Sequence, residues 1–197
     1  STFSDVLDFI KRRKPAIIAL QELKLKTQNS KRARLLKPPS GYQIILPETS
    51  AQEHTDVAFI VRNGISLQKL PHISSTTSHL GLLIKTDNAS LYLHNIYARD
   101  NELDISLLQR LQRDNHPVLI LGDYNARHVD LLPHSCVTPH NGNGRSLQAY
   151  LNSQATPDWY IINEYSEDRY TRARGDKWSQ IDLLLVNSHL FQWTNTT

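Results

Sequence analysis

The feature that most constrains this chain is the run Val118-Leu-Ile-Leu-Gly-Asp-Tyr-Asn-Ala-Arg-His128, where four aliphatic residues lead to a glycine and then to a carboxylate and a carboxamide. Four aliphatic residues in succession leave no polar face, so the segment predicts a strand covered on both sides. Gly122 is expected to mark the point where the backbone leaves the sheet. Asp123 and Asn125 then sit at the carboxyl end of a core strand, the rim where ligands gather in layered α/β proteins. By itself Gly-Asp-x-Asn is also a good turn, because Asp and Asn side chains bond nearby backbone. The other strand ends have to separate the two readings.

They point the same way. Ala16-Ile-Ile-Ala-Leu20 ends in Gln21-Glu22, Leu91-Tyr-Leu-His-Asn-Ile-Tyr97 delivers Asn95 and Tyr97, and Ser179-Gln-Ile-Asp-Leu-Leu-Leu-Val186 carries Asp182 near its start. Taken singly, each residue has an ordinary structural explanation as an exposed acid, a strand aromatic or a cap. Taken together, the carboxylates of Glu22, Asp123 and Asp182, the carboxamides of Asn95 and Asn125 and the phenol of Tyr97 form an oxygen-rich cluster. Such a cluster suits a hard cation such as Mg²⁺.

The rest of the chain supplies the frame. Ser4 is expected to cap a helix running to Arg13, with Val6, Leu7 and Ile10 inward and Pro15 closing it. Lys31 to Lys37 reads as a short basic helix before the turn Pro38-Pro-Ser-Gly41 and a strand from Tyr42 to Leu46. Val57-Ala-Phe-Ile-Val61 followed by Asn63-Gly64 predicts a hairpin, since Asn-Gly adopts the positive φ angles of a tight turn. A second hairpin joins Leu82 to Lys85 with Leu91 to Leu93 through Asp87-Asn88, and Asp104 to Arg113 predicts a helix with Leu107, Leu108 and Leu111 inward. Hairpins mixed with helical crossovers suggest two packed sheets with helices outside.

With 197 residues, 39% of them hydrophobic, the chain can bury one sizeable core, and a single domain over residues 1–197 is expected. The one cysteine, Cys136, permits no internal disulfide and reads as a buried or incidental thiol. No apolar stretch approaches a membrane span, so no membrane partner is expected. The net charge of +3 argues only weakly for an anionic partner. Its distribution says more: Lys24, Lys26, Lys31, Arg32, Arg34 and Lys37 follow the Gln-Glu strand, and Arg169, Arg172, Arg174 and Lys177 precede the Ser-Gln-Ile-Asp segment. Both clusters adjoin strand ends assigned to the rim, where positive charge can hold phosphates, although a solvated face is an equal reading of the first. Tyr170 and Trp178 lie among the second cluster, as base-stacking groups or as core.

Ile-Ala-Leu-Gln-Glu22, Asn-Ile-Tyr-Ala98, Leu-Gly-Asp-Tyr-Asn-Ala126 and Ser-Gln-Ile-Asp-Leu-Leu-Leu-Val186 resemble, in order and spacing, the motifs of the endonuclease/exonuclease/phosphatase superfamily. Within it the chain is most similar to the endonuclease domain of non-LTR (LINE-type) retrotransposons. That similarity rests on the wording Asn-Ile-Tyr-Ala, on Gly-Asp-Tyr-Asn-Ala-Arg-His128 and on Asn141-Gly-Asn-Gly-Arg-Ser-Leu147, which resembles an Asn-x-x-Gly-x-x-Leu element. The resemblance implies a four-layer α/β sandwich and a Mg²⁺-dependent DNA endonuclease, with Mn²⁺ as a substitute, that nicks target DNA to prime reverse transcription. It further implies a fused or downstream reverse transcriptase and action in the nucleus after cytoplasmic synthesis. Carried onto matching positions, it has Glu22 and Asp123 hold the metal, Asp123 activate water and Asn125 position the water or the phosphate. Tyr97 and Asn95 contact the scissile phosphate or its shell, Asp182 orients a catalytic histidine, and Thr171 matches a DNA-contacting residue, while Arg99, Arg127 and the Arg172 segment are expected to wall the same cleft and hold phosphates.

Two departures accompany the matches. The family opens with a strand bearing an Asn and closes with a Ser-Asp-His motif, whereas this sequence starts within the first helix, contains no methionine and reaches Thr197 without that motif. The expectation is therefore a piece of a longer polyprotein, or a decayed copy, that cuts DNA poorly; His189 and His128 are weak substitutes for the histidine. A phosphatase or phosphodiesterase of the same superfamily, an abasic-site endonuclease, or a nucleic-acid-binding domain without cutting activity remain as alternatives.

Overall fold

The structure, a computed structural model, describes residues 3–25, 37–48, 55–87, 89–112, 115–131, 140–153, 159–165, 172–174, 177–179 and 181–194. The aliphatic runs became strands of two sheets. β1 (Ile17–Leu20), β2 (Tyr42–Ile45) and β3 (Ala58–Arg62) form an antiparallel sheet in the order β1-β3-β2. β4 (Leu67–Lys69), β5 (Ser78–Lys85), β6 (Ser90–Tyr97), β7 (Val118–Asp123), β8 (Trp159–Ile161) and β11 (Asp182–Asn187) form a six-stranded sheet in the order β4-β5-β6-β7-β11-β8. Its neighbours are antiparallel except β6 and β7, whose parallel pairing is made possible by the crossover through helix α2 (Ile105–Leu111). β9 (Arg172–Arg174) and β10 (Lys177–Ser179) pair as a separate ribbon.

Alternation along the strands sorts side chains into two cores. Between the sheets, Phe59 and Val61 of β3 meet Leu80, Leu82, Leu93 and Tyr97, with Ile17, Ala19, Leu119 and Leu121 packed against them. On the other face of the large sheet, Ile96, Val118, Ile120, Leu183 and Leu185 pack with Leu107, Leu108 and Leu111 of α2 and with Leu147 and Tyr150 of α3 (Gly142–Asn152). The result is the mixed α/β architecture of two sheets flanked by helices. No helix among the described residues is long and apolar enough to cross a membrane.

Several local expectations need correcting. Helix α1 (Phe3–Arg13) is already under way at Phe3, so Ser4 is a helical residue and not its cap. Asp104, in contrast, does cap α2, its side chain accepting from the Ser106 and Leu107 amides. Asn63-Gly64 forms a turn, with Gly64 at φ 89°, but no hairpin follows: β3 pairs with β1 and β2, and the chain crosses to the other sheet, where β4 pairs with β5. The second expected hairpin does form, β5 pairing with β6 from Ser78 opposite Tyr97 to Lys85 opposite Ser90; Asn88 lies outside the described residues. Gly122 does not mark the exit from the sheet. It sits inside β7 at φ 149°, paired with Leu183 and Ile96, and a Cβ there would lie 2.0 Å from the Ile96 carbonyl oxygen. Ser179 belongs to β10, so the Asp182 strand begins only at Asp182. The expected basic helix at Lys31 to Lys37 falls, except for Lys37, outside the described residues, as does Cys136.

Candidate active site

The carboxyl ends of β6 and β7 and the start of β11 meet in one register row: Tyr97 stands opposite Asp123, and Asp123 opposite Asp182. Leu119 and Leu121 face the space between the sheets and Leu183 and Leu185 face away from it, so the alternation aims Asp123 and Asp182, like Tyr97, into the mouth of the inter-sheet space. Side chains in such a row are neighbours. The opposite wall comes from the small sheet: two residues past β1, Glu22 accepts a hydrogen bond from the Tyr97 hydroxyl at 3.1 Å.

The Tyr97 phenol reports the electrostatics of this mouth. Burial, the hydrogen bond to Glu22 and the charges of Glu22, Asp123 and Asp56 push it up to about 12. Tyr97 is thus a firmly protonated donor facing three carboxylates, the reverse of a nucleophile. Asp56, just ahead of β3, is the residue that sequence reasoning missed. Its side chain is nearly buried and accepts from the Lys24 amide at 3.3 Å, Ser78 Oγ at 3.5 Å and Arg99 Nη2 at 3.3 Å. The signal available in the sequence was a charged residue directly abutting the aliphatic run Val57 to Val61.

Backbone strain marks the same rim. Glu22 (φ 56°), Lys24 (φ 51°), Asn101 (φ 60°) and Asn125 (φ 45°) are left-handed without being glycine. Such residues cost about 1–3 kcal/mol each and persist where the surroundings hold them. Asn125 is held by its own amide on Asp123 Oδ1 (2.9 Å) and by its Nδ2 on the Ala98 carbonyl (3.2 Å).

Asn95 has a different place from the one expected. It is fully buried, donates through Nδ2 to the Leu20 and Ala58 carbonyls at 3.0 and 2.9 Å, and accepts from Gln21 Nε2 at 2.7 Å. A carboxamide committed to both sheets below the rim cannot meet a phosphate; Asn95 supports the Gln21-Glu22 turn instead.

The expected cations divide. Arg99 is about half exposed beside Asp56. Arg127 has its Nε buried without a hydrogen-bond partner among the described residues, and its Nη2 lies 4.0 Å from Asp100. Both follow strand ends of the row. Arg172 lies in β9, opposite Ser179 of β10, while Thr171, Arg169 and Tyr170 lie outside the described residues. Neither histidine reaches the row. His128 turns its Nδ1 toward Asp130 at 3.6 Å and lies against the His140 ring at a tilt of 37°, and His189 lies in α4 (Ser188–Thr194), beyond the far end of β11 from Asp182. At about 3.3 Å per residue that strand alone separates them by about 16 Å.

A two-sheet α/β sandwich whose inter-sheet mouth gathers carboxylates, a protonated phenol and arginines defines a class built to handle phosphate esters. The profile of the Endonuclease/Exonuclease/phosphatase family matches residues 1–194, and the chain belongs to that family. Its members are hydrolases acting on phosphodiester bonds and generally use divalent metal ions. Among solved structures the chain is similar to the endonuclease domain of TRAS1, a telomere-specific non-LTR retrotransposon, with 17% identity and a TM-score of 0.65 over 96% of this chain and 80% of that one. It is similar also to the AP endonuclease LMAP from Leishmania major (15% identity, TM-score 0.68, 98% and 75% covered). A humanized D. rerio TDP2 with 14 mutations is a further likeness (14% identity, TM-score 0.61, 94% and 75% covered). At these identities the likeness is one of fold. A sequence comparison with curated proteins gives no match.

Proposed function

We propose that this chain is the DNA endonuclease domain of a non-LTR retrotransposon, hydrolysing one phosphodiester of target DNA with Mg²⁺ and leaving a 3′ end for reverse transcription. The observation that carries the reading is the register row Tyr97–Asp123–Asp182 closed by Glu22 across the mouth. No group of three or more His, Cys, Asp or Glu side chains among the described residues is gathered closely enough to hold a metal by itself, so a cation here would rest on Glu22 and Asp123 with water completing its shell. Glu22 and Asp123 both act on the Tyr97 hydroxyl, and Mg²⁺ is commonly held by one or two carboxylates with water completing its shell. When bound, the ion supplies positive charge to the phosphoryl and leaving oxygens.

The chain's own groups do the rest. Asp123 orients a water and takes its proton, with Asn125 beside it fixing the geometry. Tyr97, protonated throughout the physiological range, donates to a phosphate oxygen or keeps Glu22 in place. Arg99 and Arg127 hold flanking phosphates, and these sequence-independent contacts favour a polyanion over a small ester. DNA is thus the partner, with a reverse transcriptase fused or downstream and the nucleus as the place of action. The resemblance assigns Asp182 to orient a histidine, and neither His128 nor His189 is placed to serve it, so cutting should be slow. Loss of one preorganised donor costs about 10²- to 10³-fold.

Nicking of supercoiled plasmid with Mg²⁺ or Mn²⁺, set against phosphate release from small esters and cleavage of an abasic-site duplex, tests the proposal. Metal-dependent nicking that EDTA stops and Asp123→Ala abolishes supports it. Phosphate release without nicking would make the chain a phosphatase, and cleavage confined to abasic sites would make it a repair enzyme.

A further inference from the structure

The segment Asn141-Gly-Asn-Gly144 touches no substrate position, yet its contacts converge on the catalytic loop. The Asn141 carboxamide is 8% exposed and uses both its ends. Its Oδ1 accepts from the amides of Gly144 and Arg127, both at 2.9 Å. Its Nδ2 donates to Asp100 Oδ1 at 2.8 Å and to the Asn125 carbonyl. A planar amide offers two donors and accepts at one oxygen, so this side chain is saturated. Asn143, a turn further on, donates to the Arg99 and Tyr124 carbonyls at 2.8 and 3.0 Å and accepts from the Leu103 amide. The glycines allow the approach: a Cβ on Gly144 would lie 2.1 Å from the Arg127 carbonyl oxygen, and one on Gly142 would lie 2.2 Å from Asn101 Oδ1.

Resting on the endonuclease reading above, we infer that Asn141 is a positioning residue for Asp123. The path is short and made of hydrogen bonds. Asn141 fixes the Asn125 carbonyl, which holds Asn125 in its left-handed conformation, and the Asn125 amide in turn fixes Asp123 Oδ1 at 2.9 Å. The same side chain fixes the Arg127 amide and so the base of a phosphate-binding arginine. Helix α3 thereby acts as a clamp on the two loops that leave β6 and β7. A plain N-cap would need only the Gly144 bond.

Asn141→Asp separates the two roles, because Asp caps a helix as well as Asn does but cannot donate to Asn125. Asn141→Ser, which keeps a capping oxygen too short to reach Asn125, repeats the test without an added charge beside Asp100. In the full 197-residue chain, both variants should leave amide exchange in Leu119 to Leu121 unchanged and speed it about tenfold at Asn125 and Arg127. Plasmid nicking should lose about 10- to 100-fold in kcat, with a smaller rise in KM for DNA from the loosened Arg127, the pattern of a misplaced reacting group. Wild-type exchange at Asn125 and Arg127, or faster exchange with wild-type kcat, overturns the inference. Asp123→Ala as a control keeps the readings apart: if it nicks like the wild type the endonuclease reading falls, while the exchange rates still decide whether Asn141 holds the loop.

Discussion

On the six-stranded side of the mouth, Tyr97, Asp123 and Asp182 stand at adjacent strand ends in one register row. On the three-stranded side, Glu22 stands in a turn that is left-handed at Glu22 and Lys24. The first wall is positioned by ladder hydrogen bonds and a core on both faces of the sheet. The second is held by the Leu23 and Leu25 backbone bonded to Asp56 and Thr55, and by two side chains: Asn95 beneath it and Asp56 beside it. A strand fixes where its end residues point through its pleat, whereas a turn has to be tied down by whatever surrounds it. The active mouth therefore joins a stiff half to a tethered half, and the side-chain tethers are buried polar groups, of which Asp56 was not among the candidates read from the sequence.

Gly122→Ala should break the stiff wall most severely. The added methyl meets the Ile96 backbone at 2.0 Å on a φ that L-residues rarely adopt, so separating β6 from β7 should cost about 4 kcal/mol or more. Chemical denaturation checks this, and a cost below about 1 kcal/mol would mean that β7 tolerates a shift and is not the rigid element claimed. Asn95→Ala attacks the connection between the walls. It leaves the Leu20 and Ala58 carbonyls without their donor in a buried setting, a loss of about 2–6 kcal/mol at one to three per group. Metal-dependent activity should fall by more than stability explains, measured well below the melting temperature, because the Glu22 turn is then free to wander.

A third expectation concerns pH and the stiff sheet alone. His79 of β5 meets His94 at 3.0 Å, and burial, followed by the charges of His72 and Arg110, lowers its pKa to about 4. The fold thus holds this imidazole neutral, while the unfolded chain binds a proton near pH 6.5. Its stabilising contribution is complete above about pH 6.5 and is lost as pH falls from there to about 4, amounting to at most about 3 kcal/mol. Urea midpoints at pH 7 and pH 4.5 should show this slope, and His79→Gln should flatten it. The smallest effect expected is at the outer surface. Arg99→Ala should lower the slope of log K against log salt for DNA binding by about one while leaving sequence preference unchanged. An unchanged slope would remove Arg99 from the phosphate contacts.

Much of this was legible in the residues. Aliphatic runs gave the strands, since only a layered core buries so many side chains without a polar face. The polar residues directly after those runs gave Glu22, Tyr97 and Asp123, and Asp182 was legible ahead of its own run. Whether Asn95 reaches the phosphate or only its shell was not legible, because alternation shows which face a carboxamide takes but not what crosses that face: here two carbonyls of the other sheet. Asn63-Gly64 was misread as a hairpin because turn chemistry fixes a reversal and leaves open which strand is met next. Gly122 looked like an exit since a glycine is a local signal, and its actual cause, the Ile96 backbone, is a neighbour 26 residues away.

The sequence by itself determined the alternation of apolar strands with acid-bearing ends and, through motif order, the family. Such periodicities and spacings act along the chain, where each residue constrains its near neighbours. The tertiary structure alone decided that Asp123 and Asp182 share a register row with Tyr97, that Asp56 joins their field, and that Asn141 grips the loop between them. Those facts belong to hydrogen bonds and desolvation between segments far apart in the chain, and these exist only once the two sheets have closed on one another.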